Sequence, residues 1–109
     1  MRSLPIPTHD QIRAIWHSNQ TDILNAHRRC APILEIDALH AKQHNHIVAV
    51  NLIDCAKYYR HKARVLLAQS DAPGSDAERD GIRYEAQHNY ELAERDLQKA
   101  YSLLNLPTQ

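Results

Sequence analysis

The chain has 109 residues, and 13 Lys and Arg balance 13 Asp and Glu, so its formal net charge is zero. That balance removes any global electrostatic case for nucleic acid or a membrane surface, and no stretch approaches the roughly 20 apolar residues needed to span a bilayer. Five Pro, only two Gly and almost no alternating strand pattern predict an all-α protein, one domain over residues 1–109, long enough to bury a core without disulfides or metal.

Residues 1–7 hold Pro5 and Pro7 and read as an extended lead-in. Thr8 then fits an N-cap, with Gln11 three residues on completing a capping box and Asp10 favoured near the positive end of the helix dipole. The first helix is expected over 9–30, along a seam of Ile12, Trp16, Asn19, Ile23, Ala26 and Cys30, with Ile15 and Leu24 alongside. Thr21 could cap a second, shorter helix, which would make four helices in all. Ala31-Pro32 marks a boundary, because the residue before proline is pushed out of the helical region. The sequence leaves open whether the chain turns tightly there or only kinks.

From 32 to 70 the chain reads as one long helix, free of Pro and Gly after Pro32 opens it. At 1.5 Å per residue it is roughly 55 Å long, more than a small domain is wide. Its expected seam is Leu34, Ala38, Ala41, Asn45, Val48, Leu52, Cys55, Tyr59, Ala63 and Leu66, by alternating steps of three and four. Residues 47–56 are apolar on most sides and should be buried on most sides. Residues 70–74 are a turn by composition. Ser75 and Glu78 form another capping box, and a last helix is expected over 75–105, ended by Pro107. Its seam is Ile82, Ala86, Asn89, Ala93, Leu97, Ala100 and Leu104, with Tyr90 and Tyr101 on the flank. Gly81 should weaken this helix by roughly 1 kcal/mol against Ala. The expected architecture is thus a small antiparallel bundle of three long helices, ending in a long hairpin. Its Ala-rich seams permit close approach, and Asn45 and Asn89 could fix the register.

The most basic stretch carries Lys57, Tyr58, Arg60, His61 and Arg64. Lys57, Arg60 and Arg64 share a face by helical spacing, a pattern that suits phosphate or nucleic-acid contact with aromatic flanks. Folding the chain back about Ala72-Pro73 offers a plainer account, with Arg60 near Glu85 and Arg64 near Asp80. Asn51, Asp54, Tyr58 and His61, extended by His44, form a polar stripe that is a contact surface, an interhelical network or a wet face. Trp16 is a core anchor or an interface anchor. His40 and His44, with Asp37 one turn earlier, have a spacing that can grip a transition metal, but no third strong ligand follows at a defined spacing. Asp37-x-x-His40 and Glu85-x-x-His88 also echo the carboxylate–histidine pair of di-iron bundles, without the bridging Glu residues. No metal or cofactor is therefore expected. Cys30 and Cys55 would lie some 30 Å apart along the helix, too far for a disulfide, so free thiols are expected. Eight His would make the protein strongly cationic below about pH 6.

Arg83-x-x-x-x-His88 is similar to the signature of HEPN ribonucleases, small helical bundles that dimerise around an Arg-x4–6-His motif. The residue after Arg is Tyr84, where that family usually has a small polar one. The resemblance implies that His88 would assist proton transfer at an RNA 2′-hydroxyl and Arg83 would stabilise phosphate charge. No phosphate loop, nucleophile–base pair or helix-turn-helix is visible.

Three rods of this length leave apolar surface over, so a homo-oligomer or a stable complex with another protein is expected. The expected function is a non-enzymatic interaction module, an adaptor or inhibitor acting through a helical surface. A nucleic-acid-binding helical module is the alternative, and a HEPN-like ribonuclease a further one. Lacking a secretory h-region, the chain is expected in the cytoplasm.

Overall fold

The computed structural model describes residues 3–108; the first two residues of the lead-in and Gln109 lie outside them. Three helices make up the fold: α1 (His9–Arg28), α2 (Ile33–Ser70) and α3 (Asp76–Leu104). Both predicted capping boxes form. The Gln11 N–H donates to Thr8 Oγ1 at 3.1 Å while Thr8 N–H donates to Gln11 Oε1 at 2.8 Å. Glu78 N–H reaches Ser75 Oγ at 3.2 Å and Ser75 N–H reaches Glu78 Oε2 at 3.3 Å. α1 runs unbroken through Thr21.

The Ala31-Pro32 boundary is a tight turn. Cys30 takes a left-handed backbone, φ 52°. Its N–H then bonds His27 O at 3.2 Å, and Ala31 N–H bonds Ala26 O at 2.9 Å. This double closure satisfies the last carbonyls of α1 and stops the helix two residues before the predicted end. Pro32 stands just outside α2, and its carbonyl accepts from Glu35 at 3.0 Å and Ile36 at 3.2 Å. α3 ends by the same device, with Asn105 at φ 55° and Leu106 N–H on Tyr101 O at 2.9 Å.

Alanine sets the α2–α3 packing. Ala49, Ala56 and Ala63 recur every seven residues on α2, as Ala86, Ala93 and Ala100 do on α3, and all six are 0% exposed. The antiparallel order runs Ala49, Ala56 and Ala63 against Ala100, Ala93 and Ala86. A seven-residue repeat keeps one seam facing its partner as two helices coil around each other, and a methyl group at each level lets the backbones come close. Ile53 and Leu97, the largest fully buried side chains, fill the space between two alanine levels. Leu4, Ile6, Ile12 and Ile15 close over this core from the lead-in and α1.

The α3 seam is the predicted one, and Tyr101 is buried beside it. The α2 seam is not. Its buried line runs through Gln43, His46, Ala49, Ile53, Ala56 and Ala63, whereas Leu34, Ala38, Ala41, Asn45 and Cys55 are exposed. Nor is the 47–56 section enclosed on most sides, since Ile47 is 48% exposed. The reason is that α1 and α3 cover different stretches and different sides of α2. α1 packs on its first half, where Trp16 meets His46 edge-on at 5.2 Å and His27 meets His40 at 6.1 Å. α3 takes the longer stretch from Ala49 onward. The molecule is accordingly a rod of 68 × 23 × 22 Å, three helices thick only near its waist. Asn45, being exposed, fixes no register. Asn89 is buried, but its amide donates back to Glu85 O of its own helix at 2.8 Å.

Cys30 and Cys55 are free and exposed. Among the described residues no helix is long and apolar enough to cross a membrane. A Cβ added at Gly81 would meet nothing within 4 Å. Gly81→Ala is therefore expected to stabilise the protein by about 0.5–1 kcal/mol. Urea unfolding checks this, and an unchanged or lowered midpoint would contradict the helix–coil account.

Candidate interaction surface

On the heptad that carries the α2 alanines, Ile53 is followed seven residues later by Arg60. A guanidinium at a seam position needs partners, and the lead-in supplies them. Arg60 Nη2 donates to Leu4 O at 2.5 Å and lies 3.6 Å from Glu94 Oε2 on α3. Glu94 accepts from Leu4 N–H through both carboxylate oxygens, at 3.1 and 3.2 Å. One residue along, Tyr101 Oη donates to Pro5 O at 2.5 Å. Three side chains from two helices thus strap the lead-in across the α2–α3 hairpin, with Pro7 buried beneath. Burial pushes the Tyr101 hydroxyl above its ordinary range; Arg60 opposes the rise and Glu94 adds to it. Between the strap and the end of α3 lies a cleft of about 530 Å³, lined by Leu4, Pro5, Gln11, Tyr101 and Leu106 among others.

The basic cluster is therefore split. Arg60 is a structural residue paired with Glu94 rather than Glu85. Arg64 makes no ion pair among the described residues, with Asp80 or any other; its Nε donates to Arg60 O at 3.4 Å. Lys57, Tyr58, His61 and Arg64 are exposed, with Tyr58 edge-on to Tyr59 at 5.7 Å. Trp16 is half-buried against His46, whose Nε2 lies 2.9 Å from Ile12 O. It is part of the α1–α2 contact. Within that contact Gln43 is buried with neither amide atom hydrogen-bonded.

The back of α2 carries the stripe that the sequence traced through His44, Asn51, Asp54, Tyr58 and His61, and all five are exposed. Asp54 sits on the wet side of the apolar section, so it carries no burial penalty. Ile47 and Val65 share this line at steps of three and four, 48% and 43% exposed, and Tyr58 between them is 60% exposed. No helix of the chain covers it.

Arg83 and His88 are both exposed. Five residues of helix place them about 140° apart around α3. Asp37, His40 and His44 are exposed as well, and among the described residues no group of three or more His, Cys, Asp or Glu is gathered to hold a metal ion. The strap residues Glu94 and Tyr101 were missed by sequence reading. The available signal was Arg60 itself, a charge at a heptad level between Ala56 and Ala63.

Comparison of this chain with known protein families, curated proteins and solved structures finds no match.

Removing the guanidinium leaves Glu94 and Leu4 O half-satisfied. Arg60→Ala is expected to cost about 1–3 kcal/mol, whereas Lys57→Ala on the open surface stays within about 0.5 kcal/mol. Denaturant unfolding compares them, and equal effects would remove the strap from the stability of the fold. Tyr101→Phe tests the strap's other end. A hydroxyl whose folded pKa is raised contributes stability that is complete below the ordinary tyrosine value near 10. It is lost as pH rises through the higher folded value. The advantage of the native protein over Tyr101→Phe should hold from pH 7 to 10 and shrink above 10. A difference that stays constant as the pH is raised above 10 would contradict it.

Proposed function

We propose that this protein is a non-enzymatic protein–protein interaction module, an adaptor or inhibitor, acting through the exposed back of α2. One observation carries the reading: Ile47, Tyr58 and Val65 stand exposed on a line of three–four spacing that no helix of the chain covers. Three–four spacing is the pattern by which a helix meets a second helix or fills a groove. Asn51, Asp54 and His61 punctuate the line with polar groups that keep the free surface hydrated. Lys57 and Arg64 flank it with positive charge, so the fitting partner presents an apolar stripe edged by carboxylates. Tyr58 is the anchor, since tyrosine offers a large contact area at small entropic cost and dominates interface energetics where it is buried.

Affinity capture from native-host lysate, with and without nuclease, tests this with the native protein beside Tyr58→Asp and Val65→Asp. The expected result is one protein retained through nuclease treatment and lost with both variants while their helix content is unchanged. Retention by both variants would remove the stripe from the interaction. Capture that disappears with nuclease would favour the alternative, a nucleic-acid contact through Lys57, His61 and Arg64, whose affinity should fall steeply with salt.

A further inference from the structure

Beside the seam that α3 covers, which the seven-residue repeat continues through Lys42 and Glu35, the first turns of α2 carry a second open face. α3 ends at Leu104, which lies in the core cluster with Ala49, and the first turns of α2 lead away from it. Leu34 is 80% exposed there, and Ala38, Ala41 and Asn45 are exposed in line with it. α1 holds another side through His46. Ile33 and Leu24 at the same tip are 74% and 54% exposed.

We infer that this free stretch of α2 packs antiparallel against the same stretch of a second copy, about a two-fold axis between Leu39 and His40. The charges on its edges select that occupant and register. Helical spacing puts Glu35 and Lys42 on one edge of the face and Asp37 and His44 on the other. All four are exposed. In an antiparallel pair each edge meets its own copy. Setting Ala38 opposite the partner's Ala41 then brings Glu35 to the partner's Lys42 and Asp37 to the partner's His44. Every edge contact is an acid against a base, and each occurs twice. The same register sets Leu34 beside the partner's Asn45. Arg29, already paired with Glu35 within the chain, leaves that carboxylate between two cations in the dimer.

Residues 33–45 amount to about 20 Å of helix. A contact this short buries less than the roughly 800 Å² per partner of a stable interface, so the dimer forms and dissociates with concentration. It lies on a different face from the Tyr58 stripe. It deepens the interaction reading by naming a second copy as partner, and its test is separate from capture.

Sedimentation velocity of the full chain under reducing conditions, over a concentration series, is the experiment. The native protein is expected to pass from monomer to dimer. Ala41→Arg, which puts two long cations into the alanine contact, and Leu34→Glu should both stay monomeric with unchanged helix content. Lys42→Glu and Glu35→Lys should each weaken the dimer by about tenfold, two edge pairs being reversed, and the double reversal should restore it. A native protein that stays monomeric throughout, or a dimer indifferent to Ala41→Arg and Leu34→Glu, overturns the inference. Dimerisation without partner capture would leave it standing and remove the Tyr58 reading; capture by a strictly monomeric protein would do the reverse.

Discussion

The fold depends on six methyl groups. Ala49, Ala56, Ala63, Ala86, Ala93 and Ala100 are all fully buried and repeat every seven residues on two antiparallel helices. A larger side chain at any of these levels would push α2 and α3 apart along their whole shared length, because overpacking is relieved by backbone movement as well as by rotamer change. Close approach in turn leaves room for only one large residue per level, Ile53 from one side and Leu97 from the other. It also exposes the weakness of a two-helix layer, which encloses its seam on two sides only. The lead-in answers that weakness at the waist, where Leu4 and Ile6 lie over the core.

Polar groups do different work at the two interhelical contacts. In the α2–α3 hairpin Arg60 and Glu94 are partly buried, at 16% and 26% side-chain exposure, and both are satisfied by backbone of the strap. A partly buried ion pair with its hydrogen bonds complete specifies where a segment docks more than it adds free energy. At the α1–α2 contact, Asn19, Gln43 and His46 are buried, and the Gln43 amide is unpaired. An unsatisfied buried amide costs about 1–3 kcal/mol. The α1–α2 contact is thus more polar than the alanine seam, and local opening of the rod should begin there.

Much of this was legible in the residues. The two capping boxes, the 70–74 turn and the α3 seam follow from local chemistry that tertiary packing does not override, and they fixed three helices to within two residues at each end. The α2 seam was not legible, for a physical reason. Residues 47–56 are apolar almost all round, so periodicity there has no preferred phase. The true phase is set by which side α1 and α3 take; the 29–32 turn directs α1 through the left-handed backbone of Cys30, a residue with no special preference for it. The ion-pair partners failed for a related reason. Pivoting the hairpin on Ala72-Pro73 misjudged the register, and the lead-in that completes the Arg60 site lies more than fifty residues away in sequence. That the stripe through Tyr58 and His61 lies on the uncovered side of α2 needed the fold.

The chain nearly closes on itself. Ser3 and Pro107 line the same cleft at the waist, so the path runs out to one tip, along the full rod to the other, and back to where it began. Both tips are turns, formed by residues 29–32 and 71–75. Anything tethered to the strap or to the tail would emerge from the middle of the rod and leave the tips and the back of α2 clear. The same topology makes the fold indifferent to where its ends are cut. A short linker across the waist would remove entropy from the unfolded chain alone, and new ends opened at either tip would interrupt no helix.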